Sequence, residues 1–248
     1  MTLTTDDYNR RLLRLRGEMT EQARRVRTLV ELAFDGFFTG DKARAERAIE
    51  LDDEIDNEDV EIERRAVALL AEAAREALPM PDEAPLRAIL TLVKVNNEFE
   101  RIADAGVEIA ERTLALSGDP VVFPPVARVM TNSVVGIMRD IGRAYDRQDN
   151  ALARLVLQAE DTVLKFKDEI GRHSEAAIAE GTLGVELAFD LMELTSQCAM
   201  MGAHATNIAE QVIYESTGAI VRHTAEGWVD AKTPPPNAPS TGSDNGPG

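Results

Sequence analysis

The stretch Asn96 to Glu111, N-N-E-F-E-R-I-A-D-A-G-V-E-I-A-E, decides how the rest of the chain is read. It contains no proline, and only Gly106 weakens a run of good helix formers. A stripe enters it from Leu86, Ile89 and Val93, passes Asn96, Asn97, Glu100 and Asp104, and leaves through Val107, Glu111 and Leu114. The spacing i, i+3, i+4, i+7 is that of one helix face. The middle of that face should be apolar, yet it carries Asn97, Glu100 and Asp104. Carboxylates at i and i+4 stand one turn apart. Two like charges on a core-facing stripe are unfavourable unless a positive group joins them.

A second stretch repeats the pattern. Its stripe runs Ala45, Ala48, Asp52, Asp56, Asp59, Glu63, Ala66, Leu70, apolar at both ends and acidic in the middle. Between the two lies Leu78-Pro79-Met80-Pro81-Asp82, a helix stop followed by a start. An antiparallel hairpin about position 80 sets Asp56 level with Asp104, Asp59 and Glu63 level with Glu100 and Asn97, and Asp52 level with Glu108. All-oxygen clusters of this kind suit hard cations such as Mg, or Fe and Mn. A single acidic pair is most often a solvated face. Two pairs coincident in register favour metal binding somewhere along this row of Asp52, Asp56, Asp59, Glu63, Glu100, Asp104 and Glu108.

Composition limits the alternatives. The chain has 248 residues, 44% hydrophobic but only 4% aromatic, and is rich in Ala, Leu, Val and Ile. That balance favours a helical bundle over a β-rich fold. With 44 Asp plus Glu against 27 Lys plus Arg, the net charge is −17. So acidic a chain is a poor general nucleic-acid binder and a poor ligand for anionic lipid. A cation binder, a partner for basic surfaces, or a protein of a high-salt cytoplasm all fit. Cys198 is alone, which excludes a disulfide framework within the chain and reads as a packed core thiol. M-T-L-T-T-D-D-Y has no signal-peptide character, and no apolar run approaches the ~20 residues of a membrane span. The expected location is the cytoplasm.

Six long helices are predicted, at about 6–38, 41–78, 82–116, 124–147, 150–180 and 185–217. The first carries Leu12, Leu15, Met19, Val26, Val30, Ala33 and Phe37 on one face. Its other faces hold Arg10, Arg11, Arg14, Arg16, Arg24, Arg25 and Arg27, the one basic concentration in the chain. They read as a solvated face or a docking surface. Ser117-Gly118-Asp119-Pro120, with Pro124 and Pro125 behind it, reads as the hinge between two halves. After Gly218 the apolar pattern fades, and the segment from Lys232 is too rich in Pro, Gly and Ser to bury a core.

The halves repeat each other. G-D-K-A-R-A-E-R-A-I-E-L-D-D-E-I-D at Gly40 resembles Q-D-N-A-L-A-R-L-V-L-Q-A-E-D-T-V-L at Gln148, an offset of 108. E-R-I-A-D-A-G-V-E-I-A-E at Glu100 matches A-M-M-G-A-H-A-T-N-I-A-E at Ala199, an offset of 99. The expected architecture is all-α, two tandem three-helix bundles over 1–118 and 119–222, with a largely disordered C-terminal tail over 223–248. In the second half Glu100 becomes Ala199, Asp104 becomes Ala203 and Asp56 becomes Leu164. Glu160, Asp161, Asp168, His204 and Asn207 remain near that level. Hairpin register about position 182 sets Glu160 opposite His204, as a weak metal site or, preferably, a hydrogen-bonded core pair. Walker A, G-x-G-x-x-G, H-E-x-x-H and G-x-S-x-G motifs are absent, as is the E-x-x-H of di-iron bundles. No catalytic constellation emerges, so the chain reads as a non-enzyme. A metal-dependent helical-bundle enzyme and a metal-free structural scaffold are the alternatives.

These residues carry a resemblance. The tandem repeat, E-R-I-A-D at Glu100–Asp104 and G-A-H-A-T-N-I-A-E-Q-V-I-Y at Gly202–Tyr214 resemble the PhoU family of phosphate-signalling regulators over about residues 8 to 222. The family signature is a carboxylate, three residues and an Asp, typically within E-R-I-G-D-H-A-x-N-I-A-E. The resemblance implies two three-helix bundles with multinuclear iron, zinc or similar metal sites on their surfaces. It also implies work beside the phosphate ABC transporter and its sensor histidine kinase, damping the starvation response when phosphate is plentiful. The first site matches at Asp52, Asp56, Glu100 and Asp104, and the second departs at Ala199, Ala203 and Leu164. The expected cofactors are therefore Fe, Zn, Mn or Mg ions, held in one half only, the first, or in neither. The expected partners are the transporter's ATPase subunit and/or the kinase, reached at the membrane only through those proteins. Nucleic acid is excluded, and a second copy of the chain, as a homodimer, completes the expectation.

Overall fold

Six long helices, α1 (Thr5–Thr39), α2 (Lys42–Arg75), α3 (Ala84–Ala115), α4 (Pro125–Arg147), α5 (Asn150–Ala179) and α6 (Val185–Thr217), make up nearly all of the described chain. The computed structural model describes residues 3–79, 83–116, 123–224 and 227–230. The expected hinge at Ser117–Pro120 and the chain from 231 onward lie outside the described residues.

Helix ends follow local chemistry. Thr4 caps α1 by accepting from the Asp7 backbone N–H, and Asp7 returns the bond to the Thr4 backbone in a capping box. Gly40 closes α1 at φ 65°, and Asp41 then opens α2 by accepting from the N–H groups of Ala43 and Arg44. The second half repeats this turn. Gln148 takes the left-handed position at φ 52°, and Asp149 accepts from Ala151 and Leu152. The repeat seen in the sequence is thus a repeat of turn geometry.

Within each half the three helices pack on one another, α1 with α2 and α3, and α4 with α5 and α6. The halves join through α3 against α6 and α1 against α4. Among the described residues, α2 and α5 touch only helices of their own half. Core residues run continuously through both halves. Every residue of the predicted α1 stripe is buried, and so is Cys198, whose thiol pKa burial pushes up. Burial of this apolar surface, at ~25 cal/mol per Å², is the main stabilising term.

Polar clamps cross the junction. Arg16 pairs with Glu215 at 2.6 Å, Arg128 with Asp35 at 3.1 Å, and Arg112 with the buried Asp190. The Arg128 guanidinium also sits 4.0 Å from the centre of the Phe38 ring.

One difference from the sequence reading lies beyond α6. Val221–Thr224 pairs with Gly227–Asp230 as an antiparallel hairpin, where the fading helical pattern gave no element. Four-residue strands are too short to announce themselves by alternation, and their pairing is a contact between segments.

Candidate metal centre

The acidic residues of α2 and α3 come together, but beside the core and not in it. On α2 the buried positions are Ala45, Ala48, Leu51, Ile55, Ile62, Ala66, Leu69 and Ala73. Asp52, Asp56 and Glu63 each directly follow one of them, one position round the helix. On α3 the buried face runs through Ile89, Leu92, Val95, Asn96, Phe99, Ile102, Ala103 and Gly106. Glu100 follows Phe99 and Asp104 follows Ala103. Leu86, placed on the predicted stripe, is 42% exposed. The stripe of the sequence reading is therefore displaced by about one position, and its acids line the open edge of the α2/α3 seam. That resolves the apparent conflict of buried like charges, because edge carboxylates keep part of their hydration.

Electrostatic coupling defines the group. Asp52 has its pKa pushed up to about 6, first by burial, then by Asp56, Asp104, Asp53 and Glu100. Burial and then Asp104 and Asp53 raise Asp56. Burial, Asp104 and Asp59 raise Glu100, with Arg101 opposing. Burial and then Glu63 and Asp56 raise Asp59. Asp52, Asp56, Asp59, Glu63, Glu100 and Asp104 thus form one repelling array across two helices. Glu108 does not join it. It is exposed, and Asp52 couples to Asp104 and Glu100 instead, while the Asp56–Asp104 and Asp59–Glu100 couplings keep the register expected of a turn at position 80. The α2 arginines pair with other acids: Arg44 with Asp35 and Asp41, Arg47 with Glu50 and Glu54, Arg64 with Glu61, Arg65 with Glu18 and Glu58.

Two buried amides brace the seam beneath the acids. Asn96 Nδ2 donates to the Asp59 carbonyl at 2.9 Å and to Asp59 Oδ1 at 2.6 Å. Gln22 Nε2, reaching from α1, donates to the Ile55 carbonyl at 2.7 Å. The sequence reading missed Gln22, although a glutamine at the stripe position between Met19 and Val26 was a signal.

The donor set fits a cation in chemistry but not yet in geometry. All donors are carboxylate oxygens, and Asp52 Oδ1 is buried with no hydrogen-bond partner, the kind of orphaned acceptor that a cation satisfies. Among the described residues, however, no three His, Cys, Asp or Glu side chains converge on one point. Side-chain rotations at the seam are needed to close a coordination shell.

The second half lacks this array. Ala199 and Ala203 stand half-buried in the places of Glu100 and Asp104, and Leu164, 43% exposed, in the place of Asp56. The expected Glu160–His204 pair is not formed. His204 Nδ1 lies 2.7 Å from Glu98 Oε2, and Asn207 Nδ2 donates to the same oxygen at 3.0 Å. Register within α5 and α6 turned His204 toward α5. In the folded chain it faces α3, because α6 is sandwiched between its own half and the other. Burial pushes the Glu98 pKa up, but the hydrogen bonds from His204 and Asn207 outweigh it and hold the carboxyl below its ordinary value. A cleft of about 700 Å³, lined by Asp59, Glu63, Asn96, Glu98, Asn207 and Glu210, connects this clamp to the acidic seam.

Two helical repeats, one with an acidic seam, direct the comparison with known proteins. The family model described as the PhoU domain matches twice, over residues 19–113 and 127–212. This chain belongs to the PhoU family. It is 28% identical over 222 residues to the phosphate-specific transport system accessory protein PhoU homolog 1 of Thermotoga maritima, covering 89% of this chain and 93% of that one. It is 28% identical over 207 residues to the PhoU homolog of Aquifex aeolicus, covering 83% and 91%. The crystal structure of PhoU from Pseudomonas aeruginosa superposes with a TM-score of 0.78 at 25% identity, covering 85% of this chain and 99% of that one. The phosphate transport system regulatory protein PhoU from Streptococcus pneumoniae shares the fold, with a TM-score of 0.77 at 18% identity, covering 87% and 99%. The PhoU fold is thus present end to end through α1–α6, and the E-R-I-A-D motif that first suggested it lies on the edge of the α2/α3 seam.

Proposed function

We propose that this PhoU-family chain is a cytoplasmic, non-enzymatic negative regulator of phosphate uptake and of phosphate-starvation signalling. It acts by contact with the ATPase subunit of a phosphate ABC transporter and/or its sensor histidine kinase. The observation that carries the reading is the double family match, with relatives named as accessory proteins of phosphate-specific transport. Long rigid helices supply extended faces for such contacts, and no described helix is long and apolar enough to cross a membrane. Membrane proximity therefore comes through partners. A homodimer belongs to the same reading, and analytical ultracentrifugation tests it.

Asp52, Asp56, Glu100 and Asp104 would hold Fe, Zn, Mn or Mg ions, with Asp59 and Glu63 extending the group. Metal bound there supplies positive charge that offsets the carboxylate repulsion. The residues themselves tie α2 to α3 at mid-length, and Asn96 and Gln22 fix the backbone on which the acids stand. Loading is confined to the first repeat, because Ala199, Ala203 and Leu164 offer no oxygen donors in the second.

The test is genetic. Deletion of the gene in its native host should switch on a phosphate-starvation reporter in phosphate-rich medium. A silent reporter with unchanged phosphate uptake removes this reading and leaves the family assignment standing.

A further inference from the structure

Five of the seven arginines concentrated on α1 fall into two groups. Arg10, Arg11 and Arg16 are held by Asp7, Glu72 and Glu215. Arg24 and Arg27, one turn apart, line a cleft against α4 together with Arg139, Arg143 and Arg147, which stand at i, i+4 and i+8 on one ridge. The five arginines line a cleft of about 270 Å³ between the two repeats. Its floor is built from small residues. A Cβ on Gly142 would stand 3.6 Å from Ala23 Cβ, so α1 and α4 approach closely beneath the arginine rim. Asp146 is the carboxylate of the lining, with the Thr20 hydroxyl donating to it at 3.3 Å.

The arginines are incompletely neutralised. Arg24 pairs with Glu21 and Arg139 with Asp140, both acids standing outside the lining. Arg143 reaches Asp140 only at 4.0 Å. Arg147 forms no ion pair among the described residues. Arg27 Nε is buried, stands 3.5 Å from Glu31 and makes no hydrogen bond. Five arginines thus line one small concavity, four of them with an acid within 4.0 Å, in a chain of net charge −17. Guanidinium forks donate in pairs to phosphate oxygens. The volume lies below the roughly 300–1,000 Å³ of sites for drug-sized ligands, so the recognised group is compact. The acidity of the remaining surface opposes nucleic acid and anionic bilayers.

We propose that this cleft binds a linear di- or triphosphate group, free or as the tail of a nucleotide, and that the ligand ties α1 of the first repeat to α4 of the second. The site shares no residue with the acidic seam, so it stands or falls independently of metal binding and of the regulatory reading.

The experiment is calorimetric titration and thermal melting of the full chain at fixed ionic strength with EDTA present, which removes metal-bridged binding. The probes are pyrophosphate, tripolyphosphate, ADP and ATP, with orthophosphate and sulfate as comparators. Pyrophosphate or tripolyphosphate should bind at least about tenfold more tightly than sulfate and raise the melting temperature. Arg27→Gln combined with Arg143→Gln should weaken binding about tenfold or more, while Arg64→Gln, on α2 and paired with Glu61, leaves it unchanged. Asp146→Asn should tighten binding, a gain that misfolding does not produce. Equal affinity for tripolyphosphate and ATP assigns the free phosphate chain as sufficient; at least about tenfold preference for ATP over tripolyphosphate assigns the nucleotide. The proposal is overturned by no binding at millimolar concentration, by sulfate binding equally well, or by equal losses in the cleft and Arg64 variants.

Discussion

The seam between α2 and α3 and the seam between α5 and α6 are built on the same repeat, yet one is a repelling row of carboxylates and the other is not. In the first, burial and the neighbouring carboxylates, Glu63 and Asp104 among them, raise the pKa values of Asp52, Asp56, Asp59 and Glu100. In the second, Ala199, Ala203 and Leu164 occupy the matching places. Both halves keep the apolar face and the Asp-capped turn, which the fold requires. Only the edge residues differ, and edge residues contribute little to the core. The acids of the first seam thus stand together against their own repulsion, and the metal-binding proposal rests on that contrast between the two seams.

The largest expected effect tests that asymmetry directly. Glu100→Ala combined with Asp104→Ala should lower the affinity for iron, zinc or manganese about a hundredfold, measured as metal retained after dialysis and by titration. Unchanged metal content would show that the seam is not the site. Conversely, Leu164→Asp, Ala199→Glu and Ala203→Asp together should raise the metal bound per chain.

Gly106 and Gly202 give the next largest contrast. A Cβ at Gly106 would overlap the Leu29 Cδ2 methyl in the core, whereas at Gly202 it would meet Val163 at an ordinary 3.8 Å. Gly106→Ala should cost about 2 kcal/mol in chemical denaturation, even after the helix-propensity gain. Gly202→Ala should be neutral or slightly stabilising.

The clamp between the repeats comes third. Glu98→Ala removes the acceptor of both His204 and Asn207. A loss of about 1.5 kcal/mol is expected, seen as a lower denaturant midpoint. Glu160→Ala, at the position that sequence register paired with His204, should change stability by less than about 0.5 kcal/mol.

The smallest effect concerns pH in the metal-free protein. The folded-state pKa of Asp52 is about 6, against 3.8 for an unperturbed carboxyl. Between those values the folded chain holds a proton that the unfolded chain has released, so stability falls as pH rises through this window. The loss is complete above about 6. Asp52→Asn should therefore exceed the parent in stability by about 1 kcal/mol at neutral pH, allowing for solvent screening, and the advantage should fade as the pH drops towards 4.

The sequence alone determined the helices and their ends, because periodicity and caps such as Gly40-Asp41 are local: neighbours three or four residues apart decide them. It also placed the two acidic rows at matching heights, since one short turn constrains antiparallel helices. Tertiary structure decided everything that depends on rotation about a helix axis or on contacts across the junction. A displacement of one position moved Glu100 and Asp104 from the core to its edge. The packing of α6 on α3 gave His204 to Glu98 and left Glu160 apart. The approach of α1 to α4 brought Arg24 and Arg27 to Arg139, Arg143 and Arg147. These partners are separated by a hundred residues or more, or by one residue's turn of a helix. Hydrophobic periodicity marks a broad apolar stripe, and within its breadth only packing fixes which side chain faces which neighbour.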